Sequence, residues 1–238
     1  MKIALVNGNR QTAEPGFAGE CQNCGRPMTA KCGEQRAWHW AHQGRLMCDP
    51  WWENETEWHL NWKECFPDAW REVVQSAPDG TRHIADVKTE HGWVIEFQHS
   101  SIKPEERRSR DILYGRLIWI VNGIRRKRDA PQFEKAWNDG NAVGPNGLVK
   151  ILFVAESVLL REWSESQGPI LFDFGGPELA WVLPGRRDIW AYVARFPRAQ
   201  LIHNLRTDVA QPGLTFDGLL AEFKELLSSY EAHKRHHY

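Results

Sequence analysis

Two pairs of metal-ligating residues near the N-terminus have the spacing of a zinc site. Cys21 and Cys24 are separated by two residues, which lets both thiolates turn toward one ion, and Gly25 supplies the positive φ that such a turn often needs. His39 and His42 follow with the same spacing. The two pairs predict a tetrahedral Cys2His2 site for Zn2+. With all four positions filled by protein, the ion would be structural rather than catalytic.

The remaining cysteines leave the exact ligand set open. Four of the five cysteines lie between residues 21 and 48, and in a reducing compartment such crowding favours a metal over disulfides. Either Cys32 or Cys48 can take the place of one histidine, and spacing alone does not choose. Residues 1–50 are polar, glycine-rich and poor in aliphatic side chains, so a metal would supply the stability that a core does not.

Polar residues alternate with apolar ones along two predicted strands, 83–89 and 93–98, which we expect to form a hairpin. Asp86 lies in the first strand. Glu96 and Gln98 are two residues apart in the second, so they point to one face of the sheet. Two carboxylates on neighbouring strands can bind one Mg2+ or Mn2+, and an amide can orient an attacking water. The pattern predicts metal-dependent hydrolysis.

A helix is predicted from residue 52 to about residue 70, with Pro67 ending it. Glu55, His59 and Lys63 are spaced four apart and form one polar stripe. If this stripe packs toward the hairpin, Glu55 adds a carboxylate and His59 adds a proton-transfer group or a phosphate contact. The many tryptophans of this stretch are expected in the core rather than stacked on bases.

A βαβ unit follows the hairpin. It consists of strand 93–98, a charged helix that begins at Pro104, and the apolar strand 117–123, with a right-handed crossover. Ile112 and Leu113 are expected to face inward from the helix.

The chain after this unit carries few signals of chemistry. The basic run 125–129 is expected to be a solvated loop rather than a phosphate contact. Apolar runs at 148–155, 169–175 and 189–196 precede a helix near 216–235. We expect this α+β region either to extend the sheet or to bind a partner protein.

Composition sets outer bounds on function. The chain has 238 residues, of which 42% are hydrophobic and 26% charged, which excludes a disordered or collagen-like protein. Its formal net charge is −1, so binding to nucleic acid must rest on a local basic patch. There is no apolar run of the roughly 18 residues that span a bilayer, and the first residues are too polar for a signal peptide. We therefore expect a cytoplasmic protein with no membrane segment.

Taken together and in order, these motifs resemble the competence protein CoiA-like family, which carries a nuclease-like domain of the PD-(D/E)XK type. The resemblance spans roughly residues 15–125 and is carried by Cys21-x-x-Cys24-Gly25, His39-Trp-Ala-His42, Glu55-x-x-x-His59, Ala85-Asp86-Val87, Glu96-Phe-Gln98-x-Ser100 and Ile118-Trp-Ile120.

The resemblance implies an α/β fold. Its PD-(D/E)XK restriction-endonuclease-like core would be a mixed sheet flanked by helices, preceded by a small zinc-binding segment. The chain then divides into a zinc-ribbon-like segment at 1–50, a nuclease-like core at 51–125 and a C-terminal region at 126–238.

Residue roles also follow from the resemblance. Asp86 and Glu96 would bind Mg2+ or Mn2+, and Glu55 matches the acidic residue of the first core helix. Arg110 and Tyr114 match an arginine and a tyrosine that contact phosphate or brace the site.

The chain departs from the family pattern at Gln98, which stands where lysine is usual. Glutamine carries no positive charge, so charge stabilisation at the phosphate must come from the metal, Arg110, His59 or Lys63.

The leading hypothesis is therefore a Mg2+-dependent deoxyribonuclease with DNA as its partner. The alternative is a catalytically weak DNA-binding protein that acts with a recombination, uptake or defence machine.

Overall fold

The chain folds into two units, Met1–Lys88 and Thr89–Tyr238, which are described separately. It is an α/β protein: the first unit contains a five-stranded antiparallel sheet and an antiparallel pair of strands, and the second unit contains a mixed sheet of seven strands with helices. The structure, a computed structural model, describes residues 1–35, 37–44, 48–51, 55–77, 79–143, 147–185, 188–207 and 215–235.

The first fifty residues form a sheet that the sequence did not predict. Its strands pair in the order β2-β1-β3-β4-β5, and Asn7 and Gly8, both at positive φ, make the two-residue turn between β1 and β2. Met28 and Trp40 are buried at its centre. The five strands are β1 Ile3–Val6, β2 Asn9–Thr12, β3 Ala18–Glu20, β4 Pro27–Lys31 and β5 His39–His42.

The predicted helix at 52–70 is shorter than expected. Helix α1 covers Glu57–Lys63, and a separate 3-10 turn covers Asp68–Trp70. Thr56 caps α1 by accepting a hydrogen bond from the His59 main-chain N–H. The stripe prediction was therefore wrong for Glu55, which precedes the helix. Trp52 lies outside the described residues. The tryptophans in the core include Trp40, Trp62 and Trp70.

Two antiparallel strands complete the first unit, β6 Arg71–Ser76 and β7 Arg82–Lys88. Strand β7 confirms the predicted alternation, since Ala85 and Val87 are buried while Asp86 between them is partly exposed.

The second unit contributes seven strands in the order β10-β11-β14-β13-β12-β9-β8. Strands β8, β9 and β12 are parallel to one another, and the others pair antiparallel. Parallel β8 and β9 with α2 between them in the chain confirm the predicted βαβ unit. The strands β10 to β14 show that the C-terminal region extends the sheet. The strands are β8 Val94–Gln98, β9 Leu117–Asn122, β10 Asn141–Val143, β11 Val149–Phe153, β12 Ile170–Asp173, β13 Glu178–Val182 and β14 Trp190–Pro197.

The helices of this unit are α2 Pro104–Tyr114, α3 Asp129–Asp139, α4 Val158–Trp163, α5 Arg198–Arg206 and α6 Phe216–Arg235, with a 3-10 turn at Val154–Glu156. The expectation that Ile112 faces inward from α2 was wrong, because its side chain is 83% exposed. The buried residues of α2 are charged: Arg107, Arg110 and Asp111. Within the described residues, no helix combines the length and apolarity required to cross a bilayer.

Candidate metal centre and buried charge clusters

The Cys21–Cys24 segment has the geometry of a metal-binding turn. The Gly25 N–H donates to the Cys21 carbonyl at 2.8 Å, and the Cys21 N–H donates to the Arg26 carbonyl at 2.9 Å. Gly25 has φ +71, as the sequence predicted. This turn leads from β3 into β4 and brings both sulfurs to the same end of the sheet.

Four side chains converge there: Cys21, Cys24, His42 and Cys48. Their ligand atoms all lie within 4.8 Å of one another. Zn–S bonds of about 2.3 Å place two sulfurs of a tetrahedral site about 3.8 Å apart. The observed distance between the sulfurs of Cys21 and Cys48 is 3.7 Å, and Cys24 Sγ lies 3.3 Å from His42 Nε2. Three thiols and an imidazole at these distances fit one zinc ion.

Cys48 takes the place predicted for His39, which was one of the alternatives left open by the spacing. His39 and His42 both lie in β5, and residues three apart in a strand point to opposite faces of the sheet. His39 Nδ1 instead lies 3.0 Å from the Ala37 carbonyl oxygen. Cys32 packs against the small hydrophobic core of this sheet.

Burial affects the protonation of the group. It raises the pKa of Cys21, and burial together with the charge of Cys21 raises the pKa of Cys48 to about 12. Burial also lowers the pKa of His42, which favours the neutral imidazole that binds metals. A bound cation would reverse the effect on the thiols, because metal ligation requires the thiolate.

Residues around Cys48 attach it to strand β7. Asn23 Nδ2 donates to the main-chain oxygens of Cys48 at 3.2 Å and Arg82 at 3.3 Å. The buried carboxylate of Asp49 lies 3.0 Å from His83 Nδ1 and accepts from the Ile84 N–H at 2.8 Å. Asn23 and Asp49 were not predicted as part of a site. Their positions directly beside Cys24 and Cys48 were the available signal.

A second cluster in the first unit surrounds a buried lysine. Lys63 Nζ lies 2.5 Å from Glu55 Oε1 and 2.9 Å from Asp86 Oδ1, and Glu72 Oε1 is 3.5 Å away. Burial alone would lower the pKa of Lys63, but the three carboxylates raise it well above its ordinary value. Burial would raise the pKa of Glu55, but attraction to Lys63 contributes to lowering it to about 2. Lys63 and Glu55 are therefore both charged at neutral pH.

Glu72 was not predicted as part of any site. It is 2% exposed and has φ +49, a conformation that is uncommon for any residue except glycine. Its carboxylate accepts from the main-chain N–H groups of Lys2 and Ile3 at 2.8 to 2.9 Å, and its carbonyl accepts from Gln22 Nε2 at 2.7 Å. These bonds connect β6 to β1 and to the cysteine turn.

His59 has a structural contact within its own helix. Its Nδ1 lies 3.0 Å from Thr56 Oγ1 and accepts from the Thr56 N–H at 3.4 Å, so the two residues form a reciprocal cap. His59 is 4% exposed. The proton-transfer role proposed from the sequence remains a prediction.

In the second unit, the residues predicted for catalysis pair with neighbours on their own unit. Glu96 Oε2 lies 2.7 Å from Arg110 Nη1, and Arg110 Nη2 lies 2.5 Å from Glu106 Oε1. Burial would lower the pKa of Arg110, but these two carboxylates raise it above its ordinary value. Gln98 Nε2 donates to the Ser100 carbonyl at 3.3 Å. Tyr114, the last residue of α2, is half-buried.

The three clusters differ in what they can bind. Among the described residues, the cysteine and histidine group is the one set of three or more His, Cys, Asp or Glu ligand atoms that lie this close together. The carboxylates of Asp86 and Glu96 are each within ion-pair distance of a buried cation of their own unit. Comparison with known proteins found no matching family model, no matching curated protein and no matching solved structure.

Proposed function

We propose that this protein is a metal-dependent nuclease that hydrolyses DNA phosphodiester bonds and carries a structural zinc ion. The observation that carries the proposal is the contact between Lys63 and Asp86, at 2.9 Å. In the pattern that the chain resembles, a lysine two residues after the second acid supplies positive charge, and this chain has Gln98 there. Lys63 brings a positive charge to the first acid from helix α1 instead.

The second unit adds a further reason. Every residue of β8 is buried, and all are apolar except Glu96 and Gln98. Placing a carboxylate and an amide in such a strand costs free energy unless each is paired, and both are. Polar groups maintained at this cost are typical of functional sites.

In this proposal, the residues keep the roles that the sequence suggests. Asp86 and Glu96 are the ligands of Mg2+ or Mn2+, and Gln98 orients the attacking water. Arg110 and Lys63 stabilise the charge that develops on the phosphate. The metal, when bound, polarises the phosphodiester and lowers the pKa of the water.

The test is a cleavage assay on linear duplex, circular duplex and single-stranded DNA, and on RNA of the same sequence, with Mg2+, Mn2+ or EDTA. We expect metal-dependent cleavage of DNA that is lost in Asp86→Asn and in Glu96→Gln. The matched control is Asp68→Asn, which removes an acid from an exposed ion pair with Arg71 and should retain cleavage.

Thermal unfolding of each variant separates loss of chemistry from loss of fold. Cleavage at the parent rate in both folded acid variants would contradict the proposal, as would cleavage that EDTA does not inhibit. Cleavage of RNA alone would contradict the assignment to DNA.

A second candidate is a DNA-binding protein without cleavage activity. It is favoured by the ion pairs of Asp86 with Lys63 and of Glu96 with Arg110. A carboxylate that is already paired with a cation binds a divalent metal ion less strongly than an unpaired carboxylate does. DNA binding without cleavage under every metal condition would support this candidate.

A further inference from the structure

The basic run that follows β9 is less solvated than the sequence suggested. The side chain of Arg125 is 9% exposed and that of Arg126 is 27% exposed. Both contact one carboxylate on α4. Arg126 Nη1 and Nη2 lie 2.7 and 2.8 Å from the two oxygens of Glu162, and Arg125 Nη2 lies 3.1 Å from the same side chain.

A third arginine reaches the same end of α4. Arg107 of α2 is 3% exposed and donates through Nη1 to the Glu162 main-chain oxygen. Within the described part of the chain, the Nε–H groups of Arg107 and Arg125 are buried and have no hydrogen-bond acceptor. Buried donors without an acceptor are uncommon in native proteins and costly, so these N–H groups are donors that a further acceptor could satisfy.

The contact between Arg126 and Glu162 has the two-pronged geometry with which arginine binds phosphate as well as carboxylate. Burial would raise the pKa of Glu162, but its bonds to Arg126 and the charges of Arg126 and Arg125 lower it. The Glu162 carboxylate is therefore negative at neutral pH and lies where a phosphate bound by these arginines would lie.

We propose that Arg125 and Arg126 form a binding site for a nucleic-acid backbone phosphate, which Glu162 fills in the absence of the nucleic acid and leaves when it binds. The ligand class rests on the proposed function. The site adjoins the proposed chemistry within one unit, because Arg125 Nη1 also donates to the carbonyl of Ser100, two residues after Gln98. Arg126 additionally holds Asp129 through Nε, at 2.8 to 2.9 Å, which fixes the guanidinium when Glu162 leaves.

A purely structural role for Glu162 makes the opposite prediction. If the carboxylate only attaches the loop after β9 to α4, then removing its charge lowers stability and leaves nucleic-acid affinity unchanged. If it competes with phosphate, removing its charge increases affinity.

The experiment measures DNA binding of the full chain by fluorescence anisotropy without added divalent metal or chelator, over a series of salt concentrations. Glu162→Gln should bind labelled single-stranded or duplex DNA about three- to tenfold more tightly than the parent, because a competing charge of a partly exposed pair is gone. Its log–log salt slope should stay close to that of the parent, because both proteins form the same phosphate contact once the position of Glu162 is vacated. Arg126→Gln should bind more weakly, with a shallower slope.

Glu165→Gln is the matched control. Glu165 lies just after α4 and forms an exposed ion pair with Arg108 at 3.4 Å, so its loss changes net charge equally. We expect Glu165→Gln to gain less DNA affinity over the parent than Glu162→Gln gains. Thermal unfolding of each variant shows whether it is folded. Arg126 is chosen for substitution rather than Arg125, because Arg125 is the more buried of the two.

Equal affinities for Glu162→Gln and Glu165→Gln would overturn the proposal, and so would an absence of DNA binding in both. Calorimetric titration with inorganic phosphate distinguishes a free anion from a nucleic-acid backbone. Tight phosphate binding without a gain in DNA affinity would also overturn it. Because binding is measured without divalent metal, a parent protein that fails to cut DNA contradicts the nuclease proposal and not this one.

Discussion

The first unit contains two buried polar clusters that differ in where their positive charge comes from. The group formed by the three cysteines and His42 contains thiols and a neutral imidazole and has no cation of its own. The cluster around Lys63 holds three carboxylates, and the lysine partly balances them. The first cluster could hold an external ion, whereas the second already holds a cation.

Because of this difference, we expect the two clusters to respond differently to chelators, to mutation and to acid. If zinc binds there, the metal group should respond to chelators and to the loss of any ligand, because all four side chains would hold the ion together. The Lys63 cluster should respond to the loss of its cation and to acid, because Lys63 lies within ion-pair distance of all three carboxylates.

The largest expected effect is the loss of the metal. We expect about one zinc ion per chain by elemental analysis, and Cys48→Ser should lose it. Structural zinc contributes about 10–16 kcal/mol in zinc-finger peptides, so loss of the ion should unfold the N-terminal sheet. Circular dichroism with and without a chelator would measure this.

His39→Ala is the control for Cys48→Ser. The side chain of His39 lies on the other face of β5 from His42, so this variant should keep its zinc. Loss of zinc in His39→Ala with retention in Cys48→Ser would show that the ligand set is the Cys2His2 alternative.

A smaller effect is expected from removing the cation of the second cluster. Lys63→Met removes the cation shared by Glu55, Glu72 and Asp86, leaving Glu55 its contact with the Met1 amino group at 3.3 Å, and breaking a buried ion pair costs about 3–5 kcal/mol. Urea unfolding should report this loss while the zinc content of the folded protein stays at the parent value. A stability change below about 1 kcal/mol would show that water, and not Lys63, neutralises the carboxylates.

The pH dependence of stability tests the ion pairs of Glu55. Its pKa is near 2 in the folded chain, against an ordinary value of 4.5. A lowered pKa means that the stabilisation is complete above the ordinary value and is lost as the pH falls toward 2. The lowering corresponds to about 3 kcal/mol.

The measurement is the difference in unfolding free energy between the parent and Glu55→Gln from pH 7 to pH 2. This difference should shrink as the pH falls below about 4.5, and taking it between two proteins removes the acid release of zinc that both share. A constant difference across this range would show that Glu55 has an ordinary pKa in the folded chain.

The sequence predicted local features better than it predicted their assembly. Strand β7 and helix α6 were found because alternation and helical periodicity are local properties. Cys21 and Cys24 were found because one turn holds both. Cys48 could not be preferred over His39, because the choice depends on β5 being a strand, and the polar segment gave no sign of one.

The buried charges were the least predictable part. Helix α2 buries Arg107 and Arg110 and exposes Ile112, the reverse of what hydrophobicity favours. Each arginine is buried because a partner far along the chain, or on another element, accepts its hydrogen bonds. Glu72 gave no signal for the same reason, since its acceptor role depends on β1 lying beside it.

The smallest expected effect compares two cysteines outside the metal group. Cys32 packs against the small core beside the group, and the thiol of Cys65 donates to the Asn61 carbonyl at 3.3 Å. Serine at either position should leave one zinc per chain. Cys32→Ser should cost about 1 kcal/mol, because a hydroxyl replaces a partly buried thiol, and Cys65→Ser should cost less, because serine can donate the same hydrogen bond. Elemental analysis combined with urea unfolding would check both values. A drop in zinc content for Cys32→Ser would place this cysteine among the ligands and weaken the contrast between a four-residue metal group and its apolar surroundings.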